Sequence, residues 1–431
     1  MSQNMKETDI QWLGEIPKSW ETKKIKYTLC ERIEKNNPVK TDFILSLTAK
    51  QGVIPYNEKE GGGNKPKEDV SEYRLAYPGD IVMNSMNILS GSVGLSNFFG
   101  CVSPVYYMLR PKEKDDDVRF YNYIFQTTAF QKSLFGLGNG ILIKESANGK
   151  LNTIRMRISM DKFGGLYIPI APKREQCIIS DFLDIKCSEI DSLTNDMQAQ
   201  ITTLEEYKKS LITEAVTKGL NPNAKTKNSE VFYMAPYNVS WKLTKIGYEC
   251  SKLYRGFDAE DVPLICTNKG KVSIRPDEMS GKMVSEDNAM QGIHKGDIAI
   301  HGMDTWHGAI AISKYDGKIT RVVHVCDSRQ EKRFIVYYLQ QLAFNGVYKL
   351  ISNGVRGNTS DFRSWDKVKN IYIALPDIQE QQQIADYLDS KCSEIDAIIQ
   401  TKKEQLDVLA EYKKSLIYEY VTGKKEVPVN E

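Results

Sequence analysis

The sequence predicts an α/β protein in which two α/β domains are separated by a long antiparallel two-helix coiled coil, with a pseudo-two-fold internal repeat. Residues 175–217 align without a gap to residues 380–422, and counting along the two copies gives 24 identities in 43 positions. Both copies carry apolar residues at heptad spacing, which is typical of a coiled-coil seam. Before each copy, short stretches of alternating Ile, Val and Tyr predict strands, and aromatic-rich amphipathic stretches predict helices.

Composition and charge place the chain among globular proteins with an uneven charge distribution. The 431 residues are 41% hydrophobic and 26% charged, which excludes wholesale disorder, and the net charge is only +2. This near-neutral total divides into +4 over residues 1–170, −3 over 171–219, +6 over 220–373 and −5 over 374–431. No apolar run approaches the roughly 18 residues of a membrane helix, so we expect a cytoplasmic protein without a membrane partner. The scattered cysteines indicate neither structural zinc nor a disulfide framework.

The two globular segments repeat weakly but in the same order. We predict a first domain over residues 1–170 and a second over 220–375, in which Gly79-Asp80-Ile81-Val82 corresponds to Gly296-Asp297-Ile298-Ala299. Expected strands lie at residues 80–83, 105–109, 297–300 and 321–325, and expected helices at 118–135 and 331–350.

The repeated segments predict a first spacer helix over residues 171–219 and a second over 376–424, followed by a tail at 425–431. Pro172 or Pro376 precedes each helix, and Gly219 or Gly423 follows it. Because the second helix must return along the first to bury its apolar face, the two should pack antiparallel. The residues that we place on this helix pair are Leu183, Ile190, Leu204, Tyr207, Leu211, Leu388, Ile395, Leu409, Tyr412 and Leu416.

Two pairs of polar segments are candidates for contact with double-stranded DNA, because Arg, Asn, Ser, Thr and His side chains supply hydrogen bonds to bases and phosphates. The alternative for each is an ordinary surface turn. The first pair follows a predicted strand in each domain, and the second pair precedes each spacer helix. In order, the candidate residues are Asn84, Asn87, Ser90, Lys144, Arg155 and Arg157 in the first domain and His301, Asp304, Trp306, His307, Arg356, Asn358, Thr359 and Arg363 in the second. The segment Gly61–Lys67 is a further candidate for phosphate contact or a linker.

The motifs of common catalytic sites are missing. There is no Walker-type phosphate loop, no G-x-G-x-x-G and no Asn/Asp-Pro-Pro-aromatic tetrapeptide of amino-methylating enzymes. Asp184-Ile185-Lys186 and Asp389-Ser390-Lys391 match the D-x-K of metal-dependent nucleases, but their place on the heptad helices favours a solvated helix surface. The spacing of His301, Asp304 and His307 does not suit a metal site on a helix face.

The quoted segments resemble the specificity (S) subunit of type I restriction-modification systems. The resemblance rests on the opening Asp9-Ile10-Gln11-Trp12-Leu13-Gly14, the Asp-x-Lys-Cys-x-Glu-Ile-Asp and Glu-Tyr-Lys-Lys-Ser-Leu-Ile segments of both helices, and Val216-Thr217-Lys218-Gly219-Leu220-Asn221-Pro222. It covers nearly the whole chain, although the second domain lacks the Trp-Leu-Gly-Glu-Ile-Pro opening.

The resemblance implies a non-catalytic DNA-specificity subunit with one target-recognition domain for each half of a bipartite site. The helices would set the distance between the half-sites and dock two methyltransferase (M) subunits, which restriction (R) subunits would join. S-adenosylmethionine, ATP and Mg²⁺ would act through those partners and not through this chain. The alternatives are a standalone nuclease or methyltransferase with fused specificity domains, and a coiled-coil adaptor that does not bind DNA.

Overall fold

A computed structural model describes residues 4–48, 51–59, 65–88, 91–138, 143–145, 151–153, 157–276, 289–352 and 361–428. The chain forms two compact units. Unit 1 comprises residues 1–196 and 404–431, and unit 2 comprises residues 197–403. The boundaries fall inside the two long helices, so each unit combines a globular part with a stretch of both helices.

The globular part of unit 1 is a set of short strands with helices packed on them. In chain order the elements are β1 (Met5–Glu7), β2 (Glu15–Pro17), β3 (Glu21–Lys24), α1 (Ile25–Thr28), β4 (Leu29–Glu31), β5 (Leu45–Thr48), β6 (Gly52–Pro55), β7 (Arg74–Ala76), β8 (Ile81–Asn84), β9 (Val93–Leu95), β10 (Gly100–Val102), β11 (Tyr106–Pro111), α2 (Val118–Gln126), α3 (Thr128–Ser133), β12 (Ile143–Glu145), β13 (Leu151–Thr153), α4 (Met160–Gly164) and β14 (Tyr167–Ile170). The first long helix, α5 (Lys173–Lys218), follows.

Unit 2 repeats this order of elements, except that its described residues include no counterparts of β12 and β13. Its elements are β15 (Thr226–Lys227), β16 (Tyr237–Asn238), β17 (Lys242–Lys245), α6 (Ile246–Glu249), β18 (Cys250–Lys252), β19 (Leu264–Thr267), β20 (Lys271–Ile274), β21 (Met290–Ile293), β22 (Ile298–His301), β23 (Ile310–Ile312), β24 (Gly317–Thr320), β25 (Val323–Ser328), α7 (Lys332–Phe344), α8 (Val347–Leu350), α9 (Trp365–Lys369) and β26 (Tyr372–Leu375). The second long helix, α10 (Ile378–Val421), follows, and 3₁₀ turns lie at Tyr56–Glu58 and Thr305–His307.

The internal repeat is visible in the sheet topology. Unit 1 contains an antiparallel four-stranded sheet in the order β4-β11-β8-β9, and unit 2 contains the corresponding sheet in the order β18-β25-β22-β23. In each unit the strand before the long helix, β14 or β26, pairs with an early strand, β3 or β17. The predicted pair of α/β domains is therefore confirmed, and the shared topology explains why their weak sequence matches occur in the same order.

Aromatic residues fill the space between each sheet, its helices and the start of the long helix. The Trp20 ring packs edge-to-face on Phe120 at 5.8 Å between centroids, and Trp241 packs in the same way on Phe334 at 6.0 Å. All four side chains are buried. Because each large aromatic side chain removes roughly 150–250 Å² from water, these pairs account for a large share of each core.

The long helices agree with the heptad prediction within a few residues and pack antiparallel. Within unit 1 the early part of α5 meets the end of α10, where the rings of Phe182 and Tyr420 lie 4.6 Å apart. Within unit 2 the late part of α5 meets the beginning of α10, where Lys208 donates to Asp396 at 2.7 Å. Gly219 and Gly423 follow the helices with φ of 85° and 67°, a conformation that glycine adopts without strain.

The residues placed on this helix pair divide into an inner and an outer set. Leu183, Ile190, Leu388, Ile395 and Leu416 are buried, whereas Leu204, Leu211 and Leu409 are half-buried. Tyr207 and Tyr412 are 55% and 53% exposed. Leu183, Ile190 and Leu416 join the apolar core of unit 1 and Leu388 joins that of unit 2, whereas the two tyrosines lie on the outer surface. None of the helices in the described ranges is long and apolar enough to cross a membrane.

Candidate nucleic-acid interface

A buried aspartate that follows a glycine fixes the start of an inner strand, β8 or β22, in each sheet. In unit 1 the Asp80 carboxylate accepts hydrogen bonds from Arg32 Nε at 2.8 Å and from a backbone N–H three residues earlier. In unit 2 Asp297 accepts from Arg255 Nε at 3.0 Å and from the equivalent backbone N–H. Buried carboxylates with several donors are held firmly, so β8 and β22 begin at a fixed place.

The turn after β8 carries the first predicted DNA-contact residues. Asn84 is buried, and its side-chain oxygen accepts a hydrogen bond from the backbone of Met86 at 3.0 Å. The carbonyl of Asn84 also accepts from the backbone of Asn87 at 3.1 Å. Asn84 therefore shapes the turn, whereas the Asn87 side chain is exposed at its tip.

The corresponding turn after β22 contains two histidines and a tryptophan. His301 is 8% exposed, burial lowers the pKa of its ring, and its Nδ1 lies 3.1 Å from the donating backbone N–H of Asp304. Trp306 is half-buried against the hydrophobic core, with Lys349 5.8 Å from its ring centre. His307 is exposed. As in unit 1, the first residue, His301, shapes the turn, and a later residue, His307, faces solvent.

The segment before each long helix returns to the same turn. The backbone N–H of Ile158 donates to the carbonyl of Ser85 at 3.1 Å, and the backbone N–H of Phe362 donates to the carbonyl of Gly302 at 3.0 Å. These are equivalent bonds in the two units. The two candidate segments of each domain, which are far apart in the sequence, therefore meet at one edge of the sheet.

This junction brings an arginine beside each turn. Arg157 precedes Ile158, Arg363 follows Phe362, and both arginines are exposed. At Gly302 the approach is so close that an added Cβ would lie 2.7 Å from the carbonyl oxygen of Phe362 and 2.9 Å from Cα of Arg363. Glycine is therefore required there by contact with the returning backbone. We call the turn plus the returning residues, 84–88 with 157–158 and 301–308 with 361–363, the reading edge of each unit.

A cavity adjoins the reading edge of unit 1. Its volume is about 660 Å³, and three lysines line it together with Tyr56 and the predicted residues Asn84 and Asn87. The lysines are Lys59, Lys65 and Lys67. Two of them come from the end of the Gly61–Lys67 segment, whose residues 61–64 lie outside the described ranges. Positive charge beside an exposed amide, here that of Asn87, is the combination that holds phosphates and reads base edges.

The remaining predicted DNA-contact residues can be placed only in part. Among the described residues, Asn87, Arg157, His307 and Arg363 are exposed, the Asp304 side chain is 41% exposed, and Asn84, His301 and Trp306 are buried or half-buried. Only the backbone of Lys144 is described, in β12. Ser90, Arg155, Arg356, Asn358 and Thr359 lie outside the described residues.

The D-x-K aspartate of unit 1 is engaged in a structural contact. One carboxylate oxygen of Asp184 accepts from Arg119 Nη1 at 2.7 Å, and the other accepts from the Tyr123 hydroxyl at 2.6 Å. Burial and the hydrogen bond to Asp184 both raise the pKa of Tyr123, so its hydroxyl keeps the proton that it donates. Arg119 also pairs with Asp117 and Asp181.

The same contact recurs in unit 2. Asp389 accepts from Arg333 Nη1 at 2.7 Å and from the Tyr337 hydroxyl at 2.7 Å. We call these contacts the helix joints, because each ties α2 or α7 to the first turns of a long helix. Sequence reasoning missed them, although Arg119-Phe120 and Arg333-Phe334 match in the repeat. Within the described part of the chain, no three His, Cys, Asp or Glu side chains come together as a metal site.

Several apolar side chains on the long helices face outward. In unit 1 they include Ile185, Leu193, Val408 and Tyr412, which are 49–68% exposed. In unit 2 Tyr207 and Ile398 are 55% and 46% exposed. Isolated exposed apolar residues are common, but several on one helix pair are typical of a protein–protein contact surface.

Comparison with known proteins finds similarity to one family. Residues 275–408 match the family model of the type I restriction modification DNA specificity domain. The chain is also 24% identical, over 99% of its length and 97% of the relative's, to a protein of Methanocaldococcus jannaschii that carries the name type I restriction enzyme MjaX specificity subunit. The family model and this relative both support the assignment of the chain as a specificity subunit of a type I restriction-modification system. Specificity subunits are non-catalytic DNA-recognition components, and a subunit of this system works in a complex with other subunits and DNA.

A solved structure shows that this chain shares its fold with a known protein. A chain from a structural study of complex assembly and conformational transition of the type I R-M system superposes with a TM-score of 0.67 at 13% identity, and the match covers 94% of this chain and 98% of that one. The HsdS subunit from Thermoanaerobacter tengcongensis matches with a TM-score of 0.48 at 12% identity, over 95% and 98% of the two chains.

Proposed function

We propose that each globular part of this specificity subunit reads one half of a bipartite DNA site, and that the long helices set the gap between the halves. The observation that carries the proposal is the repeated reading edge. Each unit brings a turn and a returning arginine to the equivalent edge of its own four-stranded sheet. The exposed side chains differ, however: they are Asn87 and Arg157 in unit 1 and Asp304, His307 and Arg363 in unit 2. One scaffold with two sets of side chains suits the reading of two different sequences.

The chemistry of the exposed residues fits this role. Arginine and asparagine form bidentate hydrogen bonds with guanine and adenine in the major groove, whereas contacts to phosphates, which lysines also make, position a protein without reading sequence. The lysine-lined cavity beside Asn87 offers both kinds of contact in unit 1. The acidic helices carry net charges of −3 and −5, so the basic globular parts are the better DNA-binding surfaces.

The helix joints support a spacer role for the helices. A spacer measures distance only if each globular part is fixed to it, and the Asp184 and Asp389 joints provide that attachment. One tryptophan of each unit adds a second attachment, because Trp20 donates to Glu175 at 2.7 Å and Trp241 donates to Glu380 at 3.2 Å.

We further propose that the exposed apolar residues of the helix pair dock two methyltransferase subunits, which restriction subunits join in the cytoplasm. S-adenosylmethionine, ATP and Mg²⁺ would bind to those subunits. A standalone nuclease is the weaker candidate, because both D-x-K aspartates are held by an arginine and a tyrosine in the helix joints.

Methylation mapping tests the proposal. Long-read sequencing of host DNA, with and without the gene, should show a bipartite methylated motif that disappears with the gene. As a control, restoring the intact gene should restore the same motif. A continuous motif, or a bipartite motif that persists in the deletion strain, would contradict the proposal.

A further inference from the structure

Each unit uses one buried side chain to hold the segment that returns to the reading edge. In unit 1 the Tyr107 hydroxyl donates to the carbonyl of Ile158 at 3.0 Å. In unit 2 Nε2 of His324 lies 2.7 Å from the carbonyl of Phe362, a distance at which the ring N–H donates. Tyr107 is 5% exposed and His324 is 1% exposed, so both bonds are shielded from water.

These two side chains occupy the same position in the repeated sheet. Tyr107 on β11 pairs in register with Met83 on β8, and His324 on β25 pairs with Ile300 on β22. Met83 and Ile300 each precede the residue at which the turn begins. Two chemically different donors therefore bond to the equivalent carbonyl, across 51 residues in one unit and 38 in the other.

Together with the backbone bonds, these contacts fix the returning residue from both sides. The N–H of Ile158 is bound to Ser85 and its carbonyl to Tyr107, while the N–H of Phe362 is bound to Gly302 and its carbonyl to His324. Because the N–H and the carbonyl of this residue are both hydrogen-bonded, the backbone cannot change its orientation there without breaking one of the two bonds. The neighbouring arginine is held at a fixed place beside the turn.

Building on the proposed function, we propose that Tyr107 and His324 are positioning residues for DNA reading, each for one half-site. Each side chain clamps the backbone that presents Arg157 or Arg363 beside the turn, and its loss relaxes sequence discrimination in that half alone. Neither side chain is exposed enough to contact DNA itself, so the effect acts through the arginine.

The histidine makes the clamp of unit 2 sensitive to pH. Burial lowers the pKa of His324, and so do the neighbouring Lys252 on β18 and His301 on β22, whereas the Phe362 carbonyl opposes this shift. On α9 the Trp365 ring lies 5.6 Å away. Nδ1 is buried and has no hydrogen-bond partner within the described residues. Protonation of the neutral His324 ring would therefore place the second proton on the buried Nδ1, near the positive charge of Lys252.

The test uses the complex purified with its methyltransferase subunits, acting on unmodified genomic DNA, with long-read sequencing as the readout. Tyr107→Phe removes one hydroxyl and keeps the ring, so we expect about 5–10-fold more methylation at sites with a wrong base in one half. His324→Leu should relax the other half to a similar degree. His324→Gln, which keeps a side-chain N–H donor, should restore discrimination, and Tyr107→Phe should leave the second half unchanged.

A pH series measures whether discrimination in the second half depends on the protonation of His324, which is not expected if His324 only stabilises the fold. When the pH is lowered from 8, the wild-type complex should keep discrimination in the second half at about pH 6.5, the ordinary pKa of histidine, because the pKa of His324 is lowered. It should lose this discrimination only at lower pH, relative to the first half of the same motif, and His324→Gln should not lose it. Variants that lower methylation equally at all sites, or relax both halves together, would overturn the positioning role. A wild-type motif that is not bipartite would instead overturn the proposed function.

Discussion

For the helix joint of unit 1, the change in the free energy of unfolding on mutation can be predicted from the structure. Asp184→Ala removes the acceptor of the Tyr123 hydroxyl, which is buried, and one of the carboxylates around Arg119. A hydrogen bond to a charged acceptor contributes ~1.5–3 kcal/mol, whereas the Arg119 pair is 33% and 43% exposed and contributes ~0–1 kcal/mol. Because Arg119 keeps Asp117, we expect unit 1 to lose about 2 kcal/mol of its free energy of unfolding.

Hydrogen exchange measured by mass spectrometry can assign this loss to the right unit. Peptides from 118–126 and 173–196 should exchange faster in Asp184→Ala, while the corresponding peptides of unit 2 serve as the internal reference. Asp181→Ala is the matched control, because Asp181 is 65% exposed and contacts Arg119 at 2.8 Å, so it should cost no more than about 0.5 kcal/mol.

A double-mutant cycle then isolates the contact. Tyr123→Phe should cost about 1 kcal/mol alone, and its combination with Asp184→Ala should show a coupling of about 1–2 kcal/mol, because both variants remove the same hydrogen bond. Strict additivity, or an Asp181→Ala variant as unstable as Asp184→Ala, would refute the assignment of stability to the Tyr123–Asp184 bond.

Three further predictions concern spacing, charge and acid stability. Inserting one heptad between Asp196 and Met197 and another between Lys403 and Glu404 lengthens both helices by about 10 Å, so the gap in the methylated motif should grow by about 3 base pairs; an unchanged gap would contradict the spacer role. Changing Lys65 and Lys67 to Ala should lower affinity for all DNA and reduce the slope of log affinity against log salt by about 2, and a change in the motif itself would argue against phosphate contact. Because the pKa of His324 is lowered by burial, the stability that it contributes is complete above about pH 6.5 and declines as the pH falls below that value; hydrogen exchange of unit 2 peptides should show this loss in the wild type and not in a His324→Gln variant.

Much of the fold could be predicted because it is encoded locally or by repetition. The heptads over 171–219 and 376–424 predicted helices that the structure places at Lys173–Lys218 and Ile378–Val421. The predicted strand at 297–300 lies at Ile298–His301, and the expected helix at 331–350 is divided into α7 and α8 at Asn345–Gly346. Gly346 has φ of 69°, which ends the first helix.

The environment of the candidate site residues could not be predicted, because it depends on contacts between distant parts of the chain. His301 looked like an exposed base-contacting residue, but packing buries it and leaves His307 outside. The bond from His324 to Phe362 links β25 to the segment before α9, and no local pattern indicates it. The Tyr107 clamp depends on the same kind of long-range contact.

The most direct test of the account replaces one globular part. Residues 1–170 would be exchanged for the corresponding residues of another type I specificity subunit that has a different methylated motif, and the hybrid would be mapped by long-read sequencing in a strain with the partner subunits. The account predicts that one half of the motif changes to the donor's sequence, while the other half and the gap stay the same. A hybrid that alters both halves, or that methylates the original motif, would contradict the claim that each unit reads its own half-site.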